Sequence, residues 1–282
     1  MKNRKKRNKK AGKYFLLLLS IIVVVLYLFP FYIVVVNAFK TPMETAGNAL
    51  AFPTGLITDN FHDAAKKINF NRALKNSLIV TGVSVALIVF FSSMSGYVIA
   101  RNHMKNRFFG FLDRTFMSSQ MLPFQVVMVP VYRLFRMYGL LNTLAGEIIM
   151  LTGMSVAYAS FLYVGFVKSV PYELEEAARI DGAGPFKTFF IVVFPLLTPV
   201  TATVAALHVM WLWNDFNVAL IMLQKDAVRT LTVKQFYFFT QYSSDYNMAF
   251  AASLMGMIPV LIFFMAMQKY LINGITDGAV KG

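Results

Sequence analysis

The sequence predicts an all-α, polytopic membrane protein with six transmembrane helices, and three observations predict it. Hydrophobic residues make up 57% of the 282 positions and charged residues only 14%, where soluble domains carry about 25% charged residues. Uncharged stretches long enough to cross a bilayer, which takes about 20 helical residues, occur six times. Eight of the 27 Lys and Arg residues lie in the first thirteen positions, directly ahead of the first such stretch, an arrangement that anchors membrane topology. A soluble enzyme of this size would need a far more charged surface. The formal charge of +14 is therefore no nucleic-acid signal, because a solvated RNA-binding tail leaves the rest of the chain unexplained. With no cysteine in the chain, disulfides, thiolate metal sites and Cys nucleophiles are excluded.

The elements follow in order. Residues 1–13 form a basic tail, and 14–36 a first helix whose 23 apolar or weakly polar residues exceed a signal-peptide core. In the second span, 76–100, Ser92, Gly96 and Ala100 recur every four residues and form a face on which another backbone can come close. In the third, 115–132, Pro123 and Pro130 each free a carbonyl one turn earlier and tend to bend the helix. Spans 148–167, 188–214 and 246–268 complete a membrane domain over 14–268, and 269–282 is a tail. Gly274, Gly278 and Gly282 leave this tail too flexible for an independent helix. Six crossings put both termini on one side; if that side is cytoplasmic it receives 16 Lys and Arg against 10 outside, as the positive-inside rule requires.

The segment 168–191 between the fourth and fifth spans is the most informative. Pro171 is placed like a first helical residue, and Glu173, Glu175 and Glu176 fall in the first turns, where the positive end of the helix dipole favours carboxylates. Leu174, Ala177 and Ala178 form a narrow small-residue face, Gly182 and Gly184 end the helix, and Pro185 can open another. A helix lying on headgroups would be rich in Lys and Arg, whereas three glutamates are repelled by an anionic leaflet. A protein groove with a basic rim fits this helix better.

Glu176, Ala177 and Ala178 are followed after three residues by Gly182, after nine more by Val192, and after one more by Phe194 and Pro195. This spacing resembles the EAA motif of the permease subunits of bacterial ATP-binding cassette (ABC) importers: Glu-Ala-Ala, three residues, Gly, nine residues, Ile, one residue, Leu-Pro. Val for Ile and Phe for Leu keep an apolar helix start. Met121, Leu122 and Pro123 with Pro130, Tyr132, Gly139, Leu140, Asn142 and Thr143 resemble the carbohydrate, maltose-type branch. So do Trp213, Asn214, Asp215 and Phe216, and the glycine-rich end 274–282.

The resemblance implies an ABC importer permease fold with a cytoplasmic coupling helix, in the bacterial cytoplasmic membrane with both termini cytoplasmic. It implies transport of a carbohydrate, and as partners a second permease, two ATPase subunits and an extracytoplasmic solute-binding protein, besides membrane lipid. Carried over by position, Glu176 is a charge partner for a basic ATPase residue, Ala177 and Ala178 form the contact face, and Asp181 and Gly182 complete the bend. Gly278 and Lys281 would reach the ATPase dimer from the C-terminal tail. No cofactor is expected on this chain; ATP and Mg would be used by the ATPase subunits, in keeping with the lack of a Gly-x-x-x-x-Gly-Lys-Ser/Thr phosphate loop.

Two rivals come from other classes. A membrane enzyme is opposed by His62, His103 and His208, which share no metal-ligand spacing, so no metal site is expected. An ion-coupled secondary carrier would hold ionisable groups within its spans, and here Asp215, beside Asn214 at the end of the fifth, comes nearest, with Asp113 and Arg114 at the start of the third. Asp215 stands either on a pathway or at headgroup depth beside Trp211 and Trp213. The solute is open among oligosaccharide, disaccharide and polyol, with a non-sugar importer as the remaining alternative.

Overall fold

A computed structural model describes the backbone of residues 2–102, 106–238 and 245–279, and side chains over 12–102, 106–238 and 245–268. In chain order the principal helices are α1 (Lys2–Ala38), α2 (Pro42–Gly47), α3 (Asp59–Lys67), α4 (Phe70–Asn102), α5 (Arg107–Ser119), α6 (Phe124–Met137) and α7 (Leu144–Val167). They continue with α8 (Glu173–Ile180), α9 (Pro185–Leu196), α10 (Thr198–Trp213), α11 (Asn217–Met222), α12 (Leu231–Gln235) and α13 (Tyr246–Ala279). Among the described residues there is no strand. The chain forms two compact units, Met1–Phe70 with Gln235–Met257, and Asn71–Lys234 with Ile258–Gly282.

In the first unit, α1 exposes an apolar surface from Tyr14 to Leu28 interrupted only by Ser20, whose hydroxyl donates to the Leu16 carbonyl, which suits a helix whose solvent is lipid. Its end is held by amide side chains. The buried Asn247 donates to the carbonyls of Asn37 (2.8 Å) and Lys40 (2.9 Å) and to Thr45 Oγ1 (2.8 Å), and Asn60 donates to the carbonyls of Ala38 and Lys40. A capping box between Thr41 and Glu44 starts α2. Thr54 and Thr41 donate to the Glu44 carboxylate, and these bonds, the Thr54 hydroxyl first, pull its pKa down to about 2.

The second unit is built on the packing of α4 against α7. Ser92 Oγ donates to the Val156 carbonyl at 3.2 Å, Ser95 and Ser160 share a 2.6 Å hydrogen bond, and a Cβ placed on Gly96 would lie 2.5 Å from Tyr163 Cβ. The small-residue face anticipated at Ser92, Gly96 and Ala100 is thus a real close approach, with Ser92 and Gly96 buried and Ala100 packed at its edge. Lipid offers no hydrophobic drive between helices, so close packing and interhelical hydrogen bonds hold such pairs together. Tyr163 carries the contact onward, donating to Thr201 Oγ1 of α10 at 2.9 Å.

The spans depart from expectation in three places. The third, 115–132, is not one helix: α5 ends at Ser119 and α6 begins at Phe124, with Pro123 extended at φ −62°, ψ 138°. A proline lacks the amide proton, crowds the preceding turn and pushes the residue before it out of helix; Pro130 is carried inside α6. The fifth is bent by 76° between α9 and α10, and α9 is π-helical over Thr188–Val193. The last helix continues beyond 268 to Ala279, so Gly278 falls in its last turn, whereas Lys281 lies outside the described residues. Among the described residues four helices qualify as crossings by length and apolarity, Gly12–Ala38, Phe70–Asn102, Leu144–Val167 and Tyr246–Gln268, and five if the bent pair is one.

The α4–α7 contact can be tested with a matched pair of substitutions. Gly96→Ala should lower the stability of the purified protein by about 1–3 kcal/mol, because the new methyl group collides with Tyr163. Gly82→Ala on the same helix, where nothing lies within 4 Å, should be neutral or gain up to about 1 kcal/mol of helix propensity. Thermal unfolding in detergent reads both, and equal melting temperatures for the two variants would contradict the close approach.

Candidate functional site

The site is the segment 168–191, and α8 is its core. The helix starts at Glu173, two residues after Pro171, with the amides of Glu175 and Glu176 both donating to the Tyr172 carbonyl. The expectation of Pro171 as first helical residue is corrected by that amount. The other end is closed by a Schellman motif: Gly182 N–H donates to the Arg179 carbonyl (3.0 Å) and Ala183 N–H to the Ala178 carbonyl (2.9 Å). Gly182 adopts φ +81°, a left-handed conformation that glycine takes without steric cost. Gly184 and Pro185 then open α9.

The rotation of α8 about its axis decides which carboxylates can meet a partner. Glu175 is fully buried. It accepts hydrogen bonds from Tyr97 Oη (2.7 Å) and Arg101 Nε (2.7 Å), both at the end of α4, with Arg179 3.8 Å away. Arg101 also donates to the Val170 carbonyl at 2.9 Å, and the Arg101 and Arg179 guanidinium groups each lie over the Tyr172 ring, at 5.6 and 5.4 Å. The opposite face exposes Glu173, Leu174, Glu176 and Ala177, with Ala178 half-buried and Asp181 and Gly182 exposed. Ile180 is 86% exposed at the tip of α8, and Phe186, in the first turn of α9, is 69% exposed. Two glutamates, rather than the three expected, therefore face outward, around an apolar tip.

The sequence alone did not single out Tyr97, Arg101 or Ile180, and it grouped Glu175 with Glu173 and Glu176 instead of setting it apart as buried. Adjacent positions on a helix differ by about 100°, so Glu175 and Glu176 cannot be sorted without knowing the rotation. The one available signal was Arg101 as the basic residue in the last turn of an apolar span.

The candidate pathway residues lie elsewhere in the second unit. Asn214 is exposed and donates to the Met210 carbonyl (2.8 Å). Asp215 is half-buried, accepts from the Ala219 amide (3.0 Å) and so closes the start of α11; burial holds its carboxyl above the usual carboxylate range, opposed by the Ala219 and Val218 amides. Trp213 is 7% exposed and so is no belt residue, whereas Trp211 is 52% exposed. Glu147, which the expected fourth span left out by one residue, is fully buried on α7, and neither carboxyl oxygen has a hydrogen-bond partner among the described residues. An open groove of about 570 Å³ between α4, α5 and α7 is lined by Phe91, Ser95, Phe116 and Thr152 among others. Among the described residues no group of three or more His, Cys, Asp or Glu side chains could hold a metal.

Residues 88–277 match the model of a family described as the binding-protein-dependent transport system inner membrane component. The chain is 38% identical over 256 residues to the probable starch degradation products transport system permease protein AmyC of Thermoanaerobacterium thermosulfurigenes, covering 91% of this chain and 92% of that one. It is 38% identical over 259 residues to the melibiose/raffinose/stachyose import permease protein MelC of Bacillus subtilis (strain 168), with the same coverage of each. Its fold is similar to a chain of a bacterial ABC transporter involved in import of the acidic polysaccharide alginate, with a TM-score of 0.80 at 22% identity over 94% of this chain and 98% of that one.

The left-handed turn gives a direct prediction. Gly182→Val should cost about 1–2 kcal/mol, the penalty of placing a β-branched residue at positive φ, whereas Gly182→Asn, a residue that visits this conformation, should cost less than half as much. Melting temperatures of the purified variants measure the difference; a Val variant as stable as wild type would mean that α8 does not end in this turn.

Proposed function

The chain belongs to the family of binding-protein-dependent transport system inner membrane components, and from that premise we propose that it is a carbohydrate permease subunit of an ABC importer. This is a multi-pass membrane protein of a transport system, and the enzyme and secondary-carrier alternatives fall with the family assignment. Both relatives named above carry sugars or starch products in their names, which favours an oligosaccharide as the solute. In this proposal the chain lies in the bacterial cytoplasmic membrane beside a second permease, receives solute from an extracytoplasmic binding protein, and rests on two ATPase subunits that use ATP and Mg. The groove of Phe91, Ser95, Phe116 and Thr152 is a better pathway candidate than Asn214 or Asp215, whose side chains are engaged with the backbone of their own turns.

The observation that carries the proposal is the outward face of α8. A short helix, rotationally fixed by a buried carboxylate and closed by a left-handed glycine, presents Glu176, Ala177 and a bare Ile180 side by side. Small residues let a partner groove come close, an apolar tip supplies burial, and the carboxylates orient the approach of a basic rim. The C-terminal residues Gly278 and Lys281 belong to the same proposal as a second contact with the ATPase dimer.

Both termini are proposed to be cytoplasmic, with α5 and α6 forming one broken crossing and the bent pair α9–α10 another, six crossings in all. Reporter fusions at Arg107 and within 168–187 should score cytoplasmic and fusions at Asp59, Asn142 and Asp226 external. A cytoplasmic score at Asn142 would remove the broken third crossing.

Docking is tested by co-purification of the ATPase subunits with the permease. Glu176→Lys should weaken ATPase association by like-charge repulsion, and Ala177→Trp by steric block, each by about tenfold or more. A loop that lies on lipid would leave ATPase recovery unchanged, since Glu176→Lys would only strengthen its contact with an anionic leaflet. Unchanged ATPase recovery for both variants would sink the docking proposal.

A further inference from the structure

We infer that the Tyr97–Arg101–Glu175 node is the link that carries movement of α8 into α4, with Arg101 and Glu175 as positioning residues for coupling. The inference rests on α8 being the element that docks the ATPase, and goes beyond it by naming the path inside this chain. Glu175 has no solvent exposure and Arg101 only 16% side-chain exposure, and they meet at 2.7 Å. Among the described residues, the side-chain hydrogen bonds between α8 and α4 both end on Glu175, from Tyr97 and Arg101. The same guanidinium holds the Val170 carbonyl, so α4 grips both α8 and the chain entering it. On the far flank of the loop, the buried Phe189 ring of α9 lies 5.1 Å from the Tyr97 ring.

Glu175 and Glu176 are neighbours in sequence that point to opposite tasks. A force applied to the exposed face at Glu176, Ala177 and Ile180 reaches, one residue inward, a charged contact sheltered from water. Such a contact is stiff because separating the charges would strand both in a poorly solvated site. The loop helix and the end of α4 therefore move together or the node breaks.

Removing one partner alone would strand a buried charge, so the informative variant removes both. In Arg101→Met/Glu175→Leu the buried pair is replaced by apolar side chains of similar size, a change that preserves or raises stability in comparable sites. The chain has no native cysteine, so Phe91→Cys, placed on α4 in the groove, gives a single thiol whose maleimide labelling rate reports the state of α4. The assay uses the purified complex with the partner permease and ATPase subunits, with and without ATP plus vanadate, and needs no knowledge of the sugar. With Arg101 and Glu175 intact the labelling rate should change on nucleotide trapping. In the double variant the new leucine side chain still buries the same face of α8 against α4, so the complex should assemble and melt as before, while the nucleotide-dependent change shrinks by about tenfold. Tyr97→Phe, which removes one hydrogen bond and leaves the ion pair, should shrink it by roughly two- to threefold.

A full response in the double variant, or in Tyr97→Phe if the double variant does not assemble, would overturn the inference, as would a wild-type node that shows no response. Failure of the underlying docking proposal is read separately. ATPase recovery insensitive to Ala177→Trp would remove both, whereas sensitivity to Ala177→Trp with a full response in the double variant would remove the node alone.

Discussion

A carboxylate with no access to water has to find its donors within the protein, and the burial of Glu175 sets the geometry of everything around it. A lone buried charge is untenable, so Glu175 fixes α8 in the one rotation that brings it to Tyr97 and Arg101. Once Glu175 points inward, helical geometry sends Glu176, Ala177 and Ile180 outward. The Schellman turn at Gly182 then limits the helix to two turns and directs the chain into α9. Arg101 sits in the last turn of α4, where a cation is favoured by the helix dipole and where the span leaves the apolar part of the sequence. Taking away either partner alone exposes the other to a cost of about 3–5 kcal/mol, comparable with the total stability margin of many domains.

The same helix that receives Glu175 also makes a close backbone approach to α7. Along α4, Ser92, Ser95 and Gly96 meet Val156, Ser160 and Tyr163 of α7, and Tyr163 reaches Thr201 of α10. In a bilayer these small-residue and hydroxyl contacts replace the hydrophobic drive that water would supply. The result in the second unit is a continuous chain of direct contacts from the loop through α4 and α7 to α10. Under the proposed function, that chain is the means by which a short exposed helix acts on membrane-length ones.

Much of this was legible in the sequence, for reasons that can be stated residue by residue. Gly182 and Pro185 are read correctly because positive φ and a helix-opening position select those residues almost alone. Gly96 is read correctly because small residues at a spacing of four leave few other uses on an apolar helix. The rotation of α8 was not legible: Glu173, Glu175 and Glu176 are chemically alike, and only the position of Arg101, 74 residues earlier, tells them apart. Pro123 was seen as a bend and proved to be a break, because it stands at the N-cap of α6 rather than inside a helix. Glu147 was lost at a boundary, since a span defined by the absence of charge must stop short of a charged residue even when that residue is fully buried.

The second unit thus holds two kinds of buried polar group, and the contrast between them bears on how it can move. At the loop end, Glu175 has its donors in place and Arg101 binds both a carboxylate and a carbonyl. On α7 and α10, Glu147, Thr152 and His208 Nε2 are buried without a hydrogen-bond partner among the described residues, and Tyr158, His208 and Trp211 pack as a ring cluster with centroids 5.3–6.3 Å apart. A satisfied node loses stabilisation when it is disturbed, whereas unpaired buried groups are stabilised in any arrangement that brings them donors, acceptors or water. Under the proposed function, the loop end would hold its shape while the unpaired groups of α7 and α10 are where new partners or water could be admitted. A rigid input and a rearrangeable interior are what a permease needs if force applied at one face is to alter its interior.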